Sequence, residues 1–203
     1  MKKIILFVFL LLTTLTYSQK KSSSKAKAVT KTNVLAKLDN LSIEMNSDKT
    51  NPKMVLLIKN ETGTETLELN NSAPNFKPLN VTLTSFTTNG TKLYYITWNE
   101  NVKTETKLKK ENQDIITSQI WNITDKVLLI ENVKKKTHII ETVYLDKLKN
   151  ATETQEKNKS EGYDFTLLTN GDFVLKNKTQ ESNYSYNATS KKYEIKKAIS
   201  KKK

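Results

Sequence analysis

Cysteine and arginine are absent from these 203 residues, and histidine occurs once, as His138. Without cysteine there are no disulfides and no thiol chemistry, so the fold must hold by packing alone. The usual zinc sites, which combine several Cys and His ligands, are excluded with it. A Ser-His-Asp triad would have to be built around His138, which alternates with Ile140, Thr142 and Tyr144 on an expected strand and reads as a structural or surface residue. Without arginine the chain lacks the bidentate fork that reads phosphates and guanine edges, and nucleic acid is not an expected partner. Glycine is scarce, with four residues, and no P-loop, dinucleotide fingerprint or nucleophile elbow is present. No metal or cofactor and no catalytic residue is expected.

Long apolar runs are scarce as well. The longest, residues 4–12, falls well short of the ~20 residues that span a bilayer. It follows Lys2 and Lys3 and leads to Thr16-Tyr17-Ser18-Gln19. A positive start, a short apolar stretch and small residues before a cut are the anatomy of a secretory signal peptide, here 1–18. The junction resembles those of proteins exported by Gram-negative bacteria, so the expected location is the periplasm or the cell exterior. No cysteine follows the apolar stretch to take a lipid anchor.

What remains is basic. The full chain has 34 lysines against 21 acids; removing Lys2 and Lys3 leaves 32 − 21 = +11. A charge made only of lysine gives a diffuse, salt-sensitive attraction to polyanions, so an anionic envelope surface, a glycan or a lipid is the candidate partner; acids are interspersed almost everywhere, and the favoured reading of the lysines is a solvated surface. Residues 19–40 form a basic flexible leader, in which the spacing of Val34, Leu35, Leu38 and Leu41 predicts a short helix over 28–39. Residues 41–198 form a single domain and 199–203 a basic tail.

Within 41–198 short β-rich runs alternate with turn residues. Candidate strands are 41–46, 53–59, 64–70, 79–87, 91–99, 113–123, 126–132, 137–145, 163–168, 172–177, 182–187 and 192–197. The expected fold is all-β, an antiparallel meander of 10–12 short strands closing into a barrel or stacking as a sandwich. Lys134-Lys135-Lys136 reads as a turn, and 146–162 as a polar loop. A two-residue turn at Asn89-Gly90 pairs Phe86 with Leu93 and Leu83 with Ile96, and puts Val81, Leu83, Tyr94, Ile96 and Trp98 on one face. A three-residue loop at Thr169-Asn170-Gly171, with Gly171 at positive φ, pairs Leu167 with Phe173 and Phe165 with Leu175.

The aromatic residues are the candidate binding feature, with ordinary core packing the favoured reading, because aromatics form strands and fill cores. Trp98, Tyr184 and Tyr186 are the ligand-binding candidates, the two tyrosines because their neighbours Asn183, Ser185 and Asn187 are polar. Glycosidase-type chemistry needs one carboxylate pair, for which the candidates, neither with a supporting motif, are Asp164 with Asp172 and Glu131 with Glu141. The favoured expectation is a secreted or periplasmic non-catalytic β protein that binds a lipid, glycan or protein partner at the cell envelope. The alternative is a structural or assembly component docking through a sheet edge, and behind both stands a carboxylate-based hydrolase.

Overall fold

The computed structural model describes residues 33–46, 51–70 and 75–200, with side chains to residue 196. The expected signal peptide 1–18, residues 19–32 of the expected leader and residues 201–203 lie outside the described residues. The described residues form thirteen strands and no helix, arranged in three antiparallel sheets of consecutive strands. The first sheet holds β1 (Asn33–Leu38), β2 (Leu41–Met45), β3 (Met54–Asn60) and β4 (Gly63–Glu68). The second, central sheet holds β5 (Leu79–Thr88), β6 (Thr91–Glu105), β7 (Lys109–Asn122), β8 (Val127–Tyr144) and β9 (Thr152–Glu161). The third holds β10 (Asp164–Leu167), β11 (Phe173–Lys176), β12 (Gln180–Asn187) and β13 (Lys192–Ser200). The sheets stay open and stack as a sandwich; no barrel closes.

Period-two alternation on β6 explains the stacking. Tyr94, Ile96 and Trp98 point to one face and pack with Leu41, Ile43, Met54 and Leu56 of the first sheet. Leu93 and Tyr95 point to the other and pack with Phe165, Phe173, Tyr186 and Tyr193 of the third. Continuous apolar residues at 93–96 are what a strand buried on both faces requires. Ile43, Met54, Leu56, Leu93, Ile96 and Phe173 are fully buried, and truncating any of the leucines or Met54 to alanine removes about 2–5 kcal/mol. Between the clusters a buried amide ties layers together: Gln119 donates to the Leu69 carbonyl at 2.8 Å and accepts from the Trp121 indole at 2.8 Å.

Both hairpin registers follow the turn chemistry. Phe86 pairs with Leu93 and Leu83 with Ile96 around a turn in which Asn89 and Gly90 both have positive φ, 47° and 77°. A bulge between Leu79 and Thr82 takes Val81 off the regular ladder, yet Val81 still packs on the core face with Leu83, Tyr94, Ile96 and Trp98. Leu167 pairs with Phe173, and Phe165 with Leu175, with Gly171 at φ 83°.

Four expectations are corrected. Residues 33–38 form β1, not a helix; a bulge between Val34 and Ala36 and the turn at Asp39 and Asn40 generate the three- and four-residue spacing of their apolar side chains. Residues 152–161 of the expected loop form β9, paired along its whole length to β8. Lys134, Lys135 and Lys136 lie inside β8, where Lys135 faces Glu161 across the strands and Lys134 pairs with Asp164, so the lysine stems lie along the sheet. The strands are not uniformly short: β6, β7 and β8 have 15, 14 and 18 residues.

Candidate functional site

Beyond Trp98 the central sheet outruns the two cores by residues 99–105 of β6, about 20 Å at the rise of an extended strand. Polar and charged residues occupy both faces there. On the face that bears the third sheet, two rungs cross three strands: Asp114, Lys136 and Ser160, then Asn112, His138 and Asn158. The third sheet's β11–β12 turn supplies the facing wall with Lys178. That turn is held by Asn177, whose side-chain oxygen accepts from the backbone N–H of Thr179 at 2.9 Å and of Gln180 at 2.8 Å.

The result is a polar cleft of about 360 Å³ lined by Asn112, Asp114, Lys136, His138, Asn158 and Lys178, among others. A second hollow of about 190 Å³ adjoins it, sharing Ser160 and Lys178 and adding Lys134 and Thr179. The larger hollow lies at the low end of the ~300–1,000 Å³ of ligand pockets. Three lysines, Lys134, Lys136 and Lys178, line the pair of hollows against the single acid Asp114, while Lys159 alternates with Ser160 to the opposite face of the sheet, where its charge acts on Glu141. Lys134 is nearly buried and pairs with Asp164 at 3.3 Å. Asp114 is occupied by an Asn101 amide at 2.7 Å. Lys136 and Lys178 have no ion pair among the described residues. His138 is held from β9, with Nδ1 3.0 Å from the Asn158 side-chain oxygen and Nε2 3.1 Å from Glu156. The cleft thus offers ammonium, amide, hydroxyl and imidazole groups around an open space, which suits an acidic, hydrogen-bonding ligand.

The sequence-derived candidates lie elsewhere and apart. Trp98 is 2% exposed in the core against the first sheet, its indole donating to Glu100 at 3.1 Å. Tyr186 is also 2% exposed, in the core against the third sheet, so the expectation that its polar neighbours leave it partly open is corrected: Asn183, Ser185 and Asn187 alternate around a side chain that points inward. Tyr184 is half-buried and stacks on Phe173 at 4.7 Å, the last ring of a series from Tyr95 through Phe165. These rings join sheets. The carboxylate pairs do not meet: Asp164 opens the β10–β11 hairpin and Asp172 lies at its tip, about 13 Å along the strand, while Glu131 and Glu141 are ten residues apart on β8, about 33 Å. Both spans exceed the reach of a glycosidase pair.

The cleft escaped the sequence because its lysines come from two distant segments, β8 and the β11–β12 turn. The signal was the triple lysine at 134–136 within a stretch of alternating apolar residues, which a strand accommodates. Comparison of the chain with protein-family models, curated proteins and solved structures returns no match.

Proposed function

We propose that the protein is an exported, non-catalytic binding protein of the cell envelope, and that it holds an acidic saccharide in the lysine-lined cleft. The observation that carries this is that Lys136 on the sheet and Lys178 on the facing turn, neither in an ion pair among the described residues, meet across a space walled by amides and hydroxyls. The packed clusters on both faces of the central sheet favour a surface ligand over an enclosed apolar one. The signal peptide supports the location. Docking through a sheet edge is the second reading, supported by β9 as a ten-residue outer strand. It carries three glutamates and two lysines, charges that discourage edge pairing, which ranks this reading second.

Calorimetric titration with trigalacturonate tests the cleft. Binding is expected at low salt and should fall steeply toward physiological ionic strength, where the Debye length is ~8 Å. Lys136→Glu with Lys178→Glu should abolish it. Equal binding of a neutral trisaccharide, or an unaffected double variant, refutes the assignment.

A further inference from the structure

The far end of the central sheet carries a second feature, distinct from the cleft. Two turns close that end. One joins β6 to β7 and contains Thr106, Lys107 and Leu108; the other joins β8 to β9 over residues 145–151. The Leu108 carbonyl accepts from the backbone N–H of Thr142 at 2.8 Å, which fixes the first turn beside the last residues of β8. Both turns therefore sit at the same tip.

Each turn presents leucine to solvent. Leu148 is 80% exposed, Leu145 62% and Leu108 39%, with Tyr144 at 40% beside them. Isolated exposed leucines are ordinary, but these gather at one projecting end. Lysines rim them: Lys107, Lys109, Lys110, Lys147 and Lys149 stand against Glu105, Glu111 and Asp146, a local charge of 5 − 3 = +2, with Lys109 paired to Glu111 and Lys110 to Glu105. Lys149 lies over the Tyr144 ring at 5.4 Å. Lys107 and Lys147 have no ion pair among the described residues.

Apolar side chains at an extremity, a tyrosine at their base and a ring of lysines match the profile of a lipid interface. Leucines enter the acyl boundary, the tyrosine suits the head-group level, and lysines meet anionic head groups with their stems on the apolar side. The lysine excess selects an anionic lipid surface as the occupant over a neutral one. We propose that this tip is a peripheral docking point for a membrane bearing anionic lipids. It uses residues that the cleft does not, so the two sites can fail separately.

The test is co-sedimentation of the full mature chain with vesicles of phosphatidylglycerol and phosphatidylcholine, and with phosphatidylcholine alone. The wild type should bind the acidic vesicles and not the neutral ones. Leu145→Ser with Leu148→Ser, and separately Lys107→Glu with Lys147→Glu, should each lower partitioning about tenfold or more. These side chains are exposed, so the fold should survive; Leu148→Trp gives an independent readout, a blue shift of its emission on acidic vesicles alone. The cleft variant Lys136→Glu with Lys178→Glu should retain most binding. Equal binding to neutral vesicles, unchanged partitioning of the leucine variant, or loss confined to the cleft variant overturns the proposal.

Discussion

Turn residues carry local chemistry that can be read directly from sequence, and the contrast between Asn89 and Asn170 shows how far this goes. Asn89 has φ 47° and its amide donates to the Tyr186 carbonyl, joining the second and third sheets. Asn170 is not among the residues at positive φ, and its amide and side-chain oxygen only serve neighbouring Asp172. Asn89→Val should therefore cost about 2 kcal/mol or more, and Asn170→Val about 1 kcal/mol or less, in denaturant unfolding. Equal costs would mean that one turn is assigned wrongly. At Gly171 turn chemistry tells only half. By backbone preference alone, asparagine should be tolerated there, since it visits the left-handed region more readily than other residues. But a β-carbon on Gly171 would lie 2.5 Å from Cβ of Thr88, so the β10–β11 tip is packed against β5. Gly171→Asn and Gly171→Val should both cost about 2–4 kcal/mol, measured in the same way. That contact is between strands 83 residues apart in sequence and leaves no local trace.

Elements were legible where burial imposes a period and illegible where charge pairs do the work. The apolar alternation of β5 and the short apolar runs of β3, β6 and β11 mark them as strands. β9, TETQEKNKSE, has no apolar period. It is a strand because β8 offers it a partner, with Lys157 bonded to Glu141 and Glu156 beside His138. β1 was obscured by a bulge that mimics helical spacing. The charge pairing of β9 has a consequence in acid. The hydrogen bond from Lys157, ahead of the charges of Lys157, Lys109 and Lys159, holds the Glu141 carboxyl below its usual range. A folded-state pKa below the unfolded one means that the carboxylate stabilises the fold above the usual value of about 4.3 and loses that contribution as pH falls through the folded value. Glu194 shifts the same way through Ser190 and Asn187. Urea midpoints should fall between about pH 5 and about pH 3, and Glu141→Gln should flatten part of that fall. An unchanged slope in Glu141→Gln would show that β9 does not depend on this pair.

For the whole molecule, the class of the fold is legible and its layering is only half so. Alternation on β6 predicts one buried face; the neighbouring Leu93 and Tyr95, taken with Tyr94 and Ile96, mark the second. The third sheet laid on that second face turns a flat, lysine-bearing surface into a cleft, and no single segment of sequence contains it. The same layering buries Tyr186 and Trp98, the side chains that composition alone offers as binding groups. Where an acidic ligand sits is therefore the sharpest question about the molecule. Titrating the isotope-labelled protein with trigalacturonate and following backbone and indole resonances by NMR answers it directly. The cleft predicts shifts centred on Lys136, His138, Asn158, Ser160 and Lys178, with the Trp98 indole and Tyr184 unmoved. Shifts centred on Tyr184, or spread evenly over the lysines of the surface, would contradict it.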